Sequence, residues 1–149
     1  MFRNKSVPKA IAEIKGNRDY PDLRGEVRFF EKNGMVLVIA DIKGLPKTNR
    51  SGFFAFHIHE GERCGGDGFS ETGGHYNPDV KPHPMHAGDL PPLLSADGIG
   101  YLAVLTDRFS VKDIIGRTVV IHKNADDFVT QPAGNAGEKI ACGRIISNE

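Results

Sequence analysis

The sequence predicts an all-β protein, a β-sandwich or flattened barrel, from three observations. Short runs rich in Val, Ile and Phe alternate with turn residues along the whole chain. No window of ten or more residues repeats its apolar positions with the 3.6-residue period of an amphipathic helix. Glycine accounts for 18 of 149 residues and proline for nine, well above the usual glycine share of about 7%. This composition indicates many turns between short strands.

Seven apolar runs are predicted as strands, and the pattern fits seven or eight in all. The predicted strands are Ala10–Lys15, Gly25–Glu31, Met35–Ile42, Gly52–His59, Ile99–Thr106, Thr118–Lys123 and Lys139–Ile146. Asn33-Gly34 between the second and third predicts a hairpin, because both residues accept positive φ. Glu60–Leu94 and Lys123–Glu138 are left as long loops, which in folded proteins are usually functional or disordered. We expect metal to order the first, since it contains most of the candidate ligands.

Length and charge limit the possible functions. A chain of 149 residues fits a single domain over residues 1–149. The 19 basic and 19 acidic residues cancel, which argues against a nucleic-acid-binding protein. No apolar stretch approaches the roughly 18 residues of a membrane span. The start of the chain, Met1–Lys9, has Arg3 and Lys5 but no apolar segment behind them, so no signal peptide is expected. The chain is then cytoplasmic by default, or exported if an upstream signal was removed.

The histidines are clustered. Five of the six lie within 30 residues, at positions 57, 59, 75, 83 and 86, and Asp89 follows them. Imidazole is the commonest side-chain metal ligand and needs no deprotonation at neutral pH. The clustering therefore predicts a metal site.

His57 and His59 end a predicted strand. Side chains two apart on a strand point to the same face. Both imidazoles can therefore reach one ion, while Ile58 packs into the core. By itself, the His-x-His pattern favours a pair of polar residues on a solvated face, because so short a motif often matches by chance.

His75, His83, His86 and Asp89 form a second set of candidates in a loop rich in Gly and Pro. Three histidines and one aspartate make a closed tetrahedral zinc shell with no position for water. Such a site is structural rather than catalytic. The alternative is a polar loop that contains these histidines by chance.

His122 lies in the apolar run Thr118–Lys123. A lone histidine there is more often a hydrogen-bonded core residue than a ligand. Asp126 and Asp127 follow it, and either could orient a ligand histidine or be a solvated loop charge.

The two cysteines, Cys64 and Cys142, permit one disulfide or two free buried thiols, and free thiols are the default for a cytosolic chain.

Taken together, these segments resemble the copper/zinc superoxide dismutase family. The matching blocks occur in family order and cover about residues 10–146. They are Gly52–Glu60, Gly73–Pro78, His86–Pro91, Gly116–His122, Asp126-Asp127, Gly134–Gly137 and Ala141–Gly143.

The resemblance implies a fold and two metals. The fold would be an eight-stranded Greek-key β-sandwich or flattened barrel, immunoglobulin-like, with two long functional loops; these enzymes are themselves examples of sandwich architecture. His75 would bridge the metals, Asp126 would link a copper histidine to a zinc histidine, and Cys64 and Cys142 would form a disulfide. The implied copper ligands are His57, His59, His75 and His122, and the implied zinc ligands are His75, His83, His86 and Asp89.

The chain departs from the family pattern in three places. Only two residues separate His83 from His86, where most members have a longer segment. The loop from Asp126 to Gly137 is also short. The active-site arginine of the family is replaced by Lys139, which keeps the positive charge but loses the planar fork that positions an anion.

The activity implied by the resemblance is dismutation of superoxide to oxygen and hydrogen peroxide. Copper would cycle between redox states, zinc would fix His75 and its loop, and Lys139 would attract the anionic substrate. Family members occur as homodimers or monomers.

Two alternatives to this activity remain. One is a copper-binding, dismutase-like protein with little turnover, such as a copper carrier or a structural zinc module. The other is a zinc hydrolase with Glu60 as general base.

Overall fold

Residues 7–149, which the computed structural model describes, form a closed barrel of eight antiparallel strands. The first six residues, part of the segment considered for a signal peptide, lie outside the described residues. The strands are β1 (Ala10–Gly16), β2 (Arg24–Lys32), β3 (Met35–Lys43), β4 (Phe53–His59), β5 (Asp89–Ala96), β6 (Ile99–Thr106), β7 (Thr118–His122) and β8 (Lys139–Ser147). A 3₁₀ helix spans Asp67–Thr72, and a short helix, α1, spans Val111–Ile114.

The strand order around the barrel is β1-β2-β3-β6-β5-β4-β7-β8, and β8 pairs with β1 to close it. β3 therefore lies beside β6, and β4 lies beside β7 rather than beside β3. These crossings between non-consecutive strands are the Greek-key connections that the resemblance implied, so the predicted fold class is confirmed.

All seven predicted strands are present, with ends shifted by one residue at most, but β5 was missed. The prediction of a loop over Glu60–Leu94 is wrong at its C-terminal end, where β5 begins at Asp89. The two prolines of β5, Pro91 and Pro92, hid it, because proline cannot donate to a sheet ladder. The structure accommodates them at a register shift in the β4–β5 pairing, between Phe54 and Phe56.

Two hairpins have the same turn chemistry. Asn33 and Gly34 join β2 to β3 with φ of 50° and 80°, as predicted. Asp97 and Gly98 join β5 to β6 with φ of 52° and 85°. An Asp-Gly pair is as strong a hairpin signal as Asn-Gly, so it marks the strand that the apolar pattern missed.

The hydrophobic core fills the barrel and determines which face carries the histidines. Phe54, Phe56 and Ile58 of β4 are completely buried and belong to the core cluster. The side chains between them alternate to the outer face of the sheet, where His57 and His59 lie. The long loops cover that face, and so both imidazoles are buried there, at 0% and 2% exposure. The expected core position of Ile58 is confirmed.

The only regular helices of residues 7–149 are the two short ones. α1 begins with a capping box, in which Ser110 and Asp113 each accept a backbone N–H from the other. No helix in this range has the length and apolar character needed to cross a membrane.

Candidate metal centre

The first ligand group is built on strands. His57 and His59 come from β4, and β7 pairs with β4 so that His57 lies opposite Val120. His122 ends β7, where a register shift between Ile121 and His122 interrupts the pairing with β8. Such bulges re-aim single side chains beside functional sites. His75 is brought to the group by an isolated bridge between its backbone and that of His59.

Hydrogen bonds to the backbone orient two of these rings. His59 donates its Nδ1–H to the Gly73 carbonyl at 2.8 Å, and His122 donates its Nδ1–H to the Gly137 carbonyl at 3.1 Å. The two Nε2 atoms then carry lone pairs and face each other at 3.2 Å. Lone pairs this close repel each other unless a cation lies between them, so the ring orientations fit a metal ion.

The other two rings offer nitrogens that the protein leaves free. His57 Nδ1 and His75 Nε2 are buried, and neither has a hydrogen-bond partner within residues 7–149. Buried polar nitrogens are rarely left unsatisfied. The ligand atoms of His57, His59, His75 and His122 all lie within 4.8 Å of one another. Four converging imidazoles of this kind suit Cu(II).

The second ligand group lies between the first long loop and the start of β5. His75 Nδ1 is 2.8 Å from Asp89 Oδ1, while Asp89 Oδ2 is 3.0 Å from His83 Nδ1 and 3.2 Å from His86 Nδ1. His75 Nδ1 and His86 Nδ1 are 3.2 Å apart. Ligands of a tetrahedral zinc are about 3.3 Å apart when the Zn–N bonds are 2.0–2.1 Å. The donor set and its spacing therefore fit zinc.

A different quartet is also close enough to share an ion. The ligand atoms of His57, His75, His83 and Asp89 lie within 4.8 Å of one another. The Nε2 of His57 is already hydrogen-bonded to Asp126, however. Its Nδ1 is the free nitrogen of the copper group described above. His86 therefore fits the fourth position around a zinc ion better than His57 does.

Asp126 joins the two groups. Its Oδ2 accepts the Nε2–H of His57 at 2.8 Å, and its Oδ1 accepts the Nε2–H of His83 at 2.7 Å. The backbone N–H of Phe128 donates to the same Oδ1 at 2.8 Å. Gly134 makes room for this contact, because a Cβ there would lie 2.0 Å from Asp126 Oδ1. Because Nε2 of His57 and of His83 is bonded to Asp126, the Nδ1 of each ring is the atom that could bind a metal.

The protonation states of the site suit metal binding. Burial lowers the pKa of His57, His59 and His86 below the ordinary value, and that of His122 to about 3. Burial acts in the opposite direction on Asp126, but hydrogen bonds from His57 and His83 outweigh it and lower the pKa of the carboxyl. Neutral imidazoles and ionised carboxylates are the forms that bind metals.

Lys139 opens β8 beside the first group. Its Nζ donates to Thr72 Oγ1 at 2.7 Å and to the Gly73 carbonyl at 3.0 Å. The same carbonyl accepts the hydrogen bond from His59. The ammonium group is thus fixed near a candidate copper ligand, and burial lowers the pKa of Lys139. Nothing in the sequence pattern pointed to Thr72.

Cys64 and Cys142 form a disulfide across 78 residues. It ties the first long loop to β8 and confirms the pairing that the resemblance implied. The default of two free thiols is wrong for this chain, because the barrel places the two cysteines side by side.

Arg117 is a second contact that sequence reasoning missed. Its Nη1 donates to the Glu60 carbonyl at 3.0 Å, and its guanidinium lies 4.2 Å from the centroid of the Tyr76 ring. The side chain of Glu60 itself is exposed and accepts from the backbone N–H of Gly74 at 3.5 Å. It belongs to neither ligand group, so no observation favours the hydrolase alternative.

A Greek-key barrel with two adjoining groups of histidine ligands defines the class of β-barrel proteins with a paired metal site. Comparison with known proteins gives the particular family, since residues 23–145 match the family described as Copper/zinc superoxide dismutase (SODC). The chain belongs to the copper/zinc superoxide dismutase family.

Three relatives illustrate the range of the family. Superoxide dismutase (Cu-Zn) 2 of Aquifex aeolicus is 36% identical over 152 residues, with 92% of this chain and 86% of that protein covered. Superoxide dismutase-like protein YojM of Bacillus subtilis is 38% identical over 108 residues, which are 62% of this chain and 55% of the relative. A crystal structure of a double mutant of a SOD-like protein from Bacillus subtilis superposes with a TM-score of 0.79 at 29% identity, covering 92% and 97%.

Proposed function

We propose that the protein catalyses the dismutation of superoxide to oxygen and hydrogen peroxide. The observation that carries the proposal is His75, whose two ring nitrogens face the two ligand groups. Nδ1 lies 2.8 Å from Asp89 in the proposed zinc group, and Nε2 lies beside the rings of the proposed copper group with no hydrogen-bond partner among residues 7–149. A buried imidazole with no partner on one side and a carboxylate on the other is suited to bridge two cations.

The proposed copper ligands are His57, His59, His75 and His122, and the proposed zinc ligands are His75, His83, His86 and Asp89. When bound, copper supplies a one-electron redox centre that superoxide alternately reduces and reoxidises, and zinc supplies a fixed positive charge.

Two residues of the chain have further roles in this proposal. His75 Nε2 is the atom that can take up a proton and pass it to the peroxide product, while its Nδ1 stays anchored at the zinc group. Lys139 supplies a positive charge at the copper side, and such charges raise the capture rate of an anionic substrate; superoxide dismutase is a known example of this steering. Because Lys139 is held by Thr72 and Gly73, the charge stays in one place.

The test is the dismutation rate per copper on protein reconstituted with copper and zinc, with both metals counted by mass spectrometry. A rate near the diffusional ceiling of about 10⁸–10⁹ M⁻¹s⁻¹ supports the proposal. A protein that takes up zinc and refuses copper would contradict the roles given to His57, His59 and His122.

A second candidate is a copper-binding, dismutase-like protein with little turnover. It is favoured by the names of YojM and of the structurally characterised SOD-like protein from Bacillus subtilis, both of which say dismutase-like. Lys139 in place of the family arginine also fits it. The same experiment separates the candidates, because stoichiometric copper with a rate thousands of times lower supports the second.

A further inference from the structure

The turn His83–His86 contains two proposed zinc ligands in only four residues. Two of its residues, Pro84 and Met85, are partly or largely exposed, so burial alone does not hold the turn. Its backbone polar groups are instead satisfied mainly from outside the turn. Two side chains, Gln131 and Arg108, make four of these hydrogen bonds.

Gln131, in the second long loop, binds the backbone of His83 on both sides. Its Oε1 accepts the N–H of His83 at 2.8 Å, and its Nε2 donates to the carbonyl of His83 at 2.7 Å. The Nε2 also donates to the carbonyl of Val129 at 3.2 Å, which orients the amide within its own loop. Since Asp126 of the same loop holds the ring of His83, this loop fixes both the backbone and the side chain of one ligand.

Arg108, between β6 and α1, binds the other end of the turn. Its Nη1 donates to the carbonyl of Pro84 at 2.8 Å and to the carbonyl of His86 at 3.1 Å. The remaining donors of the turn bond nearby, Met85 N–H to Pro82 and His86 N–H to Asp89 Oδ2. The carbonyl of His86 also accepts the backbone N–H of Asp89 at 3.1 Å.

We propose that Gln131 and Arg108 are positioning residues that hold the short turn in its zinc-binding shape. This inference rests on the zinc assignment made above and extends it to two residues that touch no metal. The outer partners of metal ligands typically change affinity by about 10–100-fold when they are removed. Here they act through the ligand backbone, which must otherwise be ordered at the moment of binding.

Charge gives a way to separate positioning from electrostatics at Arg108. Removing a cation from the neighbourhood should by itself strengthen the binding of Zn²⁺. Loss of the two hydrogen bonds should weaken it. A weaker affinity in Arg108→Ala therefore reports position, and Arg108→Lys, which keeps a donor and the charge, should recover part of the loss.

The experiment measures the zinc dissociation constant of the full chain by competition with a chelator, and uses Co²⁺ as a spectroscopic probe of the same ligands. The copper dissociation constant is measured in parallel. We expect Gln131→Ala and Arg108→Ala each to weaken zinc binding by about tenfold or more, with copper affinity within about twofold of the parent. Val129→Ala in the same loop and Arg50→Ala, which removes an exposed arginine elsewhere, are matched controls and should change neither metal.

The outcomes are distinguishable. Zinc binding that is lost in His86→Ala but unchanged in Gln131→Ala and Arg108→Ala would overturn this inference alone. Zinc binding that is indifferent to His86 would overturn the zinc assignment and the inference together. Equal losses of zinc and copper affinity would show general unfolding rather than positioning, and would also overturn it; urea midpoints of the metal-free variants provide the independent check.

Discussion

The two halves of the metal centre are held by different parts of the fold. His57, His59 and His122, three of the four proposed copper ligands, lie on β4 and β7, where the pairing register of the barrel sets their positions. The proposed zinc ligands His83 and His86 lie in a loop and depend on side chains from other segments. The copper half should therefore be as rigid as the barrel, and the zinc half should depend on loop contacts.

The largest effect expected from this difference comes from His122→Ala compared with His86→Ala. Loss of His122 removes a proposed copper ligand from a fixed strand, so dismutation should fall by about 10³-fold or more, since a catalytic metal contributes several kcal/mol. Loss of His86 should abolish tight zinc binding but leave copper uptake intact. Metal content by mass spectrometry and the rate per protein give both readings.

If His122→Ala and His86→Ala lost copper to the same degree, copper binding would depend on the zinc ligands, and the two halves of the metal centre would not be independent. His59→Ala serves as a second strand variant and should behave like His122→Ala.

The next largest effect concerns the disulfide, which fastens the loop side to the barrel side. Cys142→Ser should lower the free energy of unfolding by about 2–5 kcal/mol, as removal of native disulfides typically does. The measurement is urea unfolding of the metal-free protein, with Cys64→Ser as the matched partner, since both variants break the same bond. Similar midpoints for parent and variants would show that the loop is held without it.

The sequence predicted the barrel side better than the loop side, for a physical reason. His57 and His59 follow the period of two that a strand imposes, and Ile58 between them is a core residue, so a local pattern carries the information. Gln131 and Arg108 lie 48 and 22 residues from the backbone groups of His83 and His86 that they bind. No period or motif relates such pairs, and only the folded chain brings them together.

A smaller effect is expected at Asp126, the residue that connects the halves. Asp126→Asn keeps the shape of the side chain. The amide has one oxygen and one NH₂ group, however, so it cannot accept an N–H from His57 on one side and from His83 on the other. Zinc affinity should fall by about 10–100-fold, and copper affinity by less, because β4 still fixes His57. Competition with a chelator measures both constants.

Equal losses of the two metals in Asp126→Asn would mean that the strand does not hold His57 on its own. Asp127→Asn is the control, because among residues 7–149 the side chain of Asp127 bonds only within its own loop, to Val129 and Thr130.

The smallest effect is expected at Lys139, which lies beside the proposed copper ligands. Lys139→Met removes the positive charge and should lower the rate per copper by about tenfold at low ionic strength, the lower end of what electrostatic steering provides. The difference should shrink as salt screens the charge. Stopped-flow decay of superoxide across a range of ionic strengths measures this, and a salt-independent deficit would indicate a role other than steering.

The pH dependence of Lys139→Arg tests the same steering role of the positive charge. Burial lowers the pKa of Lys139, so the ammonium loses its proton at a lower pH than a free lysine, and the steering charge disappears as pH rises through that value. Arginine stays protonated throughout this range. The rate of the parent should therefore fall on the alkaline side before that of Lys139→Arg, while both are alike near neutral pH if charge alone matters. A higher rate for Lys139→Arg already at neutral pH would show that the planar fork positions superoxide as well as attracting it.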